Sequence, residues 1–383
     1  MSYYFDYGAT SLKKPKKVAD KVYEVLTSNN FANPSRGSYK EANNAFLEIY
    51  KARKKVANFF GMSDEKYVIF TNNSTEALNI AIKGILKAGD HVITTKMEHN
   101  SVLRPIYQLA KNKDVEYSIV DSDDYGIVKY DEIEDNIKTN TKLLAITQGS
   151  NVTGNIVDLK KVVAICKKHN ILVLVDGSQA AGVIETKLED LGIDLYCFTG
   201  HKSLFAPQGV GGLCIVNKNL DIESYNVGGS GVKTFEKDQP NEYPAKLEAG
   251  THNTPSIAGL SAGISYIEEK GINNLYKKQI QFANKFYSEL KDIEQITFYG
   301  DFSKPKTAVV SFNFKGVASS DVAEVLAEQY NIAVRAGTHC APLMHEHFGT
   351  ENQGIIRFSF SSMNTEEEID YAINAIKEIA SEI

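Results

Sequence analysis

The sequence predicts an α/β protein, with a large domain on a mostly parallel sheet and a smaller α+β domain at the C-terminus. Three observations predict it. From about residue 40 to 216, short continuous apolar runs alternate with stretches of helical periodicity. Strands that are apolar on both faces belong to parallel sheets covered by helices on each side. After about residue 217 the alternation gives way to a glycine-rich loop, long helical stretches and differently spaced strands. Finally, 383 residues at 43% hydrophobic content are enough for two domains and a large core.

The elements follow in order. FLEIYKARKKVANFFG carries apolar residues at helical spacing and stops at Gly61. KYVIFT is a short buried strand. STEALNIAIKGILKAGD reads as a helix with Ser74 or Thr75 as its cap, an acid in its first turn and Gly89 as its stop. HVITT, EYSIV, KLLAIT, ILVLV, DLYCFT and GGLCIV are strands, with NSVLRPIYQLAKNK and DLKKVVAICKKHN as helices between them. Beyond the loop NVGGSGVKTF come LEAGTHNTPSIAGLSAGISYIEEKG and the helical NNLYKKQIQFANKFYSELK. Then TAVVSFNF, NIAVRAG and IIRFSFS read as strands interleaved with the helices SSDVAEVLAEQY and TEEEIDYAINAIKEIASEI. The expected boundaries are 15–265 for the large domain, and 1–14 with 266–383 for the small one. No internal repeat or low-complexity linker separates them.

Several function classes are excluded. The net charge is -6 and no basic stripe tracks a phosphate backbone, so nucleic acid is not expected as a partner. SLKKPKKVADK, the densest basic stretch, reads as a solvated helix start, or as a weak docking patch at most. MSYYFDYGATS has no apolar signal core, and no run approaches the roughly 18 apolar residues of a membrane span. A soluble, cytoplasmic protein with no membrane partner is expected. Cys166, Cys197, Cys214 and Cys340 are scattered and show neither disulfide nor metal spacing. Cys166 falls in a helical pattern, and Cys197 and Cys214 in apolar strands, where a thiol is a small buried hydrophobe.

DLYCFTGHKSLFAPQG places Lys202 just beyond an apolar strand, and ILVLVDGSQAAG delivers Asp176 at the end of another. A lysine and an aspartate on neighbouring strand ends are what pyridoxal phosphate needs: an amine for its aldehyde and a carboxylate for its pyridine nitrogen. FTNNSTEALNIAI is a strand–loop–helix junction whose helix N-terminus, with the hydroxyls of Ser74 and Thr75, offers a phosphate cup. Thr199 and His201 could close its other side. His99 follows HVITT and could cover a cofactor ring. Asn151 follows KLLAIT, where its amide could meet a cofactor oxygen and a substrate carboxylate, and Gln179 could reach the phenolic oxygen.

The ordered motifs STEA, MEHN, SNVTG, VDGSQAAG, FTGHK, AGT and RAGTHCA resemble those of the cysteine desulfurases of PLP fold type I, the class V aminotransferases. The similarity runs from DYGATS to RFSFSSMNTEEEID. RAGTHCAP resembles the group of SufS-like desulfurases and bacterial selenocysteine lyases, and CAPLMHEHFGT a Firmicute-type branch. Thr338 stands where SufS-type proteins usually have a second histidine, and NNST replaces the more usual Gly/Ala-containing phosphate loop.

The resemblance implies the PLP-dependent transferase fold and conversion of L-cysteine to L-alanine, with sulfur passing to an enzyme persulfide. L-Selenocysteine is the alternative substrate, and another class V aminotransferase or β-lyase reaction a further one. It implies a homodimer and a sulfur or selenium acceptor protein, such as a component of iron–sulfur cluster assembly. Lys202 becomes the cofactor lysine and proton shuttle, Asp176 the pyridine partner, Gln179 the ring-oxygen partner and His99 the stacking residue. Ser74, Thr75, Thr199 and His201 hold phosphate, joined by Thr251 from a second subunit. Asn151 and Arg357 bind the substrate carboxylate, and Cys340 accepts sulfur. A loop cysteine beside His339 and Arg335 fits a lowered thiol pKa. His345 and His347 lie close by, but no clustered carboxylates or cysteines complete a zinc set, so no metal is expected.

Overall fold

The computed structural model describes residues 3–34 and 37–383. Strand β1 (Tyr3–Tyr4) precedes helices α1 (Lys16–Thr27) and α2 (Lys40–Phe59). There follow β2 (Val68–Thr71), α3 (Ser74–Ile85), β3 (His91–Thr95), α4 (Asn100–Lys113), β4 (Glu116–Val120) and the short α5 (Asp131–Asp135). Next come β5 (Thr141–Thr147), α6 (Leu159–Lys168), β6 (Leu172–Asp176), α7 (Leu188–Leu191), β7 (Leu195–Thr199) and β8 (Gly211–Ile215). The remainder is α8 (Thr254–Lys270), α9 (Ile272–Leu290), β9 (Ile296–Tyr299), β10 (Val309–Phe314), α10 (Ser319–Gln329), β11 (Ile332–Ala333), α11 (Pro342–Phe348), β12 (Ile356–Ser359) and α12 (Glu366–Glu382).

The large sheet has the order β2-β8-β7-β6-β5-β3-β4. Strands β3 to β7 run parallel, while β8 is antiparallel to both its neighbours. The reversal has a local cause: residues 200–210 join β7 to β8 without a crossover helix, so the chain returns beside the strand it left. Alternate residues enter opposite cores. Leu143, Leu174, Leu195 and Cys197 pack under α3 and α4, whereas Leu144, Val175, Tyr196 and Phe198 pack on the other face. Both faces being covered is why these strands read as continuous apolar runs. The strand order reverses between β5 and β3, which opens a crevice at the C-terminal strand ends.

The second core surrounds the three-stranded sheet β12-β10-β9 and is rich in phenylalanine. Phe286 and Phe358 lie 4.6 Å apart at their centroids, and Phe5 joins them from the N-terminal segment. That insertion draws residues 5–11 across the crevice between the two cores.

Local details depart from the sequence reading. The α3 cap is Asn73, whose side chain accepts from Glu76 N, so neither Ser74 nor Thr75 is consumed as the cap. The helix ends at Ile85, and Gly89 instead makes the turn into β3 with φ +82°. Within NIAVRAG only Ile332–Ala333 form a strand, β11, which pairs in parallel with β1, and the segment meets the three-stranded sheet at a single antiparallel bridge, Arg335 with Arg357 of β12. The edge strand β9 was not anticipated; its sequence ITFY is short and half polar-facing. No helix among the described residues is long and apolar enough to cross a membrane.

Candidate active site

One cavity opens at the C-terminal ends of the parallel strands. It is lined by Ser74, Thr75, His99, Asn151, Asp176, Gln179, Thr199, His201, Lys202, Cys340 and Arg357. Every site residue expected from the sequence meets there except Thr251. That residue lines a different cavity of its own chain, with Glu248, His252 and Asn253.

At the floor, the α3 N-terminus presents a connected set of hydroxyls. Ser74 Oγ lies 2.7 Å from Ser178 Oγ, and Thr75 Oγ1 lies 2.8 Å from Ser101 Oγ. Thr199 Oγ1 is buried with no hydrogen-bond partner. His201 Nδ1 contacts Thr10 Oγ1 at 3.1 Å, and burial lowers its pKa to about 4. The cavity therefore has helix N–H groups, hydroxyls and an unused buried oxygen at one end, a donor set suited to a phosphate.

Asp176 ends β6, and its Oδ1 accepts from Ser178 N at 3.0 Å and Ser178 Oγ at 2.5 Å. Lys202 stands in the β7–β8 turn. A Cβ at Gly200 would come within 2.9 Å of Ala206 Cβ and 3.0 Å of Val210, so the turn closes tightly only around glycine. Ser11 Oγ donates to Lys202 O at 2.6 Å, pinning the turn from the N-terminal segment. The lysine amine has no hydrogen-bond or ion-pair partner among the described residues. Burial lowers its pKa to about 8; Asp176 opposes the shift, and Arg357 and Arg335 add to it.

His99 caps α4 with its side chain: Nδ1 accepts from Ser101 N at 3.0 Å, which leaves the proton on Nε2 in the neutral ring. Burial holds it neutral, with a pKa lowered to about 4. Gln179 Nε2 donates to Gly8 O at 3.1 Å.

At the far end, Arg357 is 2% exposed. Its Nη2 donates to Asp6 Oδ1 at 2.7 Å and its Nη1 to Asn151 O at 3.0 Å, while Nε has no partner. Cys340 is the exposed cysteine; the other three are buried, and burial pushes their thiols up, that of Cys166 to about 12. His339 and Cys340 are consecutive left-handed residues, φ +48° and +57°. Such residues cost roughly 1–2 kcal/mol each. Two bonds from the large-sheet side hold this loop. Asn151 Nδ2 donates to His339 O and Asn100 N to Cys340 O, both at 2.7 Å.

His339 does not act as the sequence suggested. Its ring is buried, Nε2 meets Ile355 O at 2.8 Å, and burial holds its pKa well below the usual histidine value. It is a neutral group facing inward, not a cation beside the thiol. His345 and His347 bond Thr350 Oγ1 and Asp123 O, each at 2.8 Å, and no group of three metal-ligating side chains occurs among the described residues.

Asn73, Ser101, Ser178 and Asp6 were not singled out from sequence. Asn73 and Ser178 each adjoin a residue that was, Ser74 and Gln179. Asp6 lies in DYGATS, where the family resemblance begins but no local pattern marks a role.

The chain is similar to known proteins over its whole length. The family described as aminotransferase class-V matches residues 3–372. A probable cysteine desulfurase of Methanothermobacter thermautotrophicus is 33% identical over 384 residues, spanning 98% of this chain and 94% of its own. The apo structure of a cysteine desulfurase from Thermococcus onnurineus NA1 superposes with a TM-score of 0.93 at 32% identity, covering 100% of this chain and 95% of that one. The cysteine desulfurase CsdA from Escherichia coli gives 0.89 at 29% identity, with the same coverage.

Proposed function

The chain belongs to the aminotransferase class-V family, and from that premise we propose that it is a pyridoxal-phosphate-dependent cysteine desulfurase. L-Cysteine and the Cys340 thiol are converted to L-alanine and a Cys340 persulfide. The observation that carries this reading is the convergence of Lys202, Asp176, Arg357 and Cys340 on one cavity. An aminotransferase would need the first three and no cysteine.

Pyridoxal phosphate, when bound, supplies an aldehyde for a lysine and a ring that withdraws electrons from the substrate Cα. The α3 N-terminus with Ser74, Thr75, Thr199 and His201 would hold its phosphate. Asp176 would face the ring nitrogen, Gln179 and Asn151 the ring oxygen, and His99 one ring face. Lys202 is the attachment amine. Its burial favours the neutral amine, the form that can take the substrate Cα proton. Arg357 receives the substrate carboxylate through its guanidinium, with the second amide hydrogen of Asn151 beside it. The Cys340 thiolate attacks the substrate sulfur. The new S–S bond forms as Cβ–Sγ breaks; the electron pair stays on the carbon fragment, which gains a proton and leaves as alanine.

Thr251 supports a homodimer reading: it stands outside its own chain's cavity and would complete the partner's phosphate site. An acceptor protein would then take the sulfur from Cys340, which is exposed.

The test is to expose the cofactor-loaded protein briefly to L-cysteine, and in parallel to L-selenocysteine. Alanine should form, and mass spectrometry should place one extra sulfur on the peptide carrying Cys340. Sulfur on Cys166, Cys197 or Cys214 instead, or alanine formed only from L-selenocysteine, would sink the proposal.

A further inference from the structure

We infer that Asp6 is a positioning residue for the substrate: it fixes the Arg357 guanidinium so that the edge carrying Nε is left to take an amino-acid carboxylate. This rests on the reading that Arg357 is the carboxylate receptor.

Arg357 is almost wholly buried, and Asp6 is its one ion-pair partner among the described residues. A guanidinium has five N–H donors in a rigid plane. Here one nitrogen is tied to Asp6 Oδ1 and another to Asn151 O, which fixes both the position and the roll of the plane. Nε is the nitrogen left buried and unpartnered, in a residue that lines the cavity. A buried donor without a partner is rare and marks either strain or a ligand's place.

Asp6 itself is pre-set. Ser359 N donates to Phe5 O at 2.7 Å, Ser359 Oγ donates to Phe5 O at 3.1 Å, and Gly8 N donates to Ser359 Oγ at 2.8 Å. The carboxylate is thus anchored on both sides to β12, the strand that carries Arg357. Gly8 backs the plane: a Cβ there would stand 3.1 Å from Arg357 Cζ and 3.2 Å from Nη2. The charge balance points the same way. Arg335 lines the same cavity, and its like charge opposes Arg357, whereas Asp6 supports the charged guanidinium. Remove Asp6, and two arginines share a site without its counter-charge, with Arg357 free to swing toward Asn151.

The test uses the cofactor-loaded protein, with Asp6→Ala, Asp6→Asn and Arg357→Gln compared with the parent. Binding is read from the change in cofactor absorbance on titration with L-alanine, and with ethylamine, which lacks the carboxylate. Asp6→Ala should weaken L-alanine at least about tenfold, as loss of one charge-assisted hydrogen bond implies. It should leave ethylamine within about twofold, and raise KM for L-cysteine more than it lowers kcat. Asp6→Asn keeps the acceptor oxygen and should recover most of the affinity. A general packing defect would instead weaken both ligands and lower the melting temperature, and that result overturns the proposal. So does unchanged or tighter L-alanine binding in Asp6→Ala while Arg357→Gln loses it; the carboxylate-receptor reading then survives. If Arg357→Gln binds L-alanine normally, both fall together.

Discussion

Two lysines are pressed into apolar surroundings, and they share little else. Lys202 stands at the cavity with its pKa lowered to about 8, and Lys306 is sealed near the small sheet at 2% exposure with its pKa lowered to about 7. Burial is the main cause in both. The differences lie around them. Lys202 looks into a cavity shared with Asp176, His99, Arg357 and Cys340. Lys306 has a ring for a neighbour: Nζ sits 3.3 Å from the Phe302 centroid, without a hydrogen-bond partner, and the nearby Asp301 is the carboxylate that favours its charge. A perturbed amine is therefore not a site in itself. Chemistry requires access, a counter-carboxylate and a place for the reacting atom, and only the first lysine has all three.

The sharpest way to break this contrast is to remove each amine. Lys202→Ala should lower desulfurase turnover by at least about 10⁴-fold, the upper range for one acid–base group, and abolish any borohydride-reducible link between cofactor and protein. A reducible adduct persisting on another lysine would show that the wrong amine was assigned. Cys340→Ser comes next. It should bind cofactor and L-cysteine normally, yet lose persulfide formation and at least about 10²-fold of turnover, because a hydroxyl is a poor nucleophile toward sulfur near neutral pH. Full turnover in that variant would remove Cys340 from the mechanism.

Asn151→Ala should have a smaller effect. It deletes the 2.7 Å tether on His339 O while leaving the Asn100 N bond to Cys340 O. One lost tether on a strained loop predicts roughly a tenfold slower persulfide burst. If rapid-quench measurements show an unchanged burst and only weaker substrate binding, the amide serves the carboxylate and not the loop.

The end of the cavity built from strand ends and the α3 N-terminus was legible because it obeys local rules. Asp176 terminates one apolar strand, Lys202 follows another by three residues, and Ser74 and Thr75 open an amphipathic helix at a strand–loop–helix junction. The other end depends on contacts that no local pattern encodes. Asp6 meets Arg357 only because Phe5 is drawn into a core built from residues beyond 280. His339, beside Cys340 in sequence, looked like its electrostatic neighbour, but a left-handed turn carries its ring toward Ile355. Asn73 rather than Ser74 capping α3 is a one-residue shift that propensity cannot resolve, since both are good caps. The antiparallel β8 was likewise hidden, because a strand buried on both faces reads the same in either direction.

The smallest effect belongs to Lys306, and it separates burial from function most cleanly. In the unfolded chain this amine titrates near 10.5; in the folded protein it titrates near 7. Between those values the unfolded state binds the extra proton, so stability rises as pH climbs from 7 to 10.5. Well below pH 7 both states are protonated and the whole penalty is present. Lys306→Met keeps most of the aliphatic volume and removes the charge. It should therefore stabilise the protein most below pH 7, by about 1–3 kcal/mol once the attraction of the Phe302 face is set against the cost of burial. The gain should shrink toward zero near pH 10.5. Desulfurase activity should stay within about twofold, since nothing of Lys306 reaches the cavity. Denaturant melts of the two proteins at pH 6, 8 and 10 decide the matter. A gain that does not fall with pH would mean that packing, and not the proton, is what Lys306 disturbs, and a loss of activity would mean that the second lysine is no bystander.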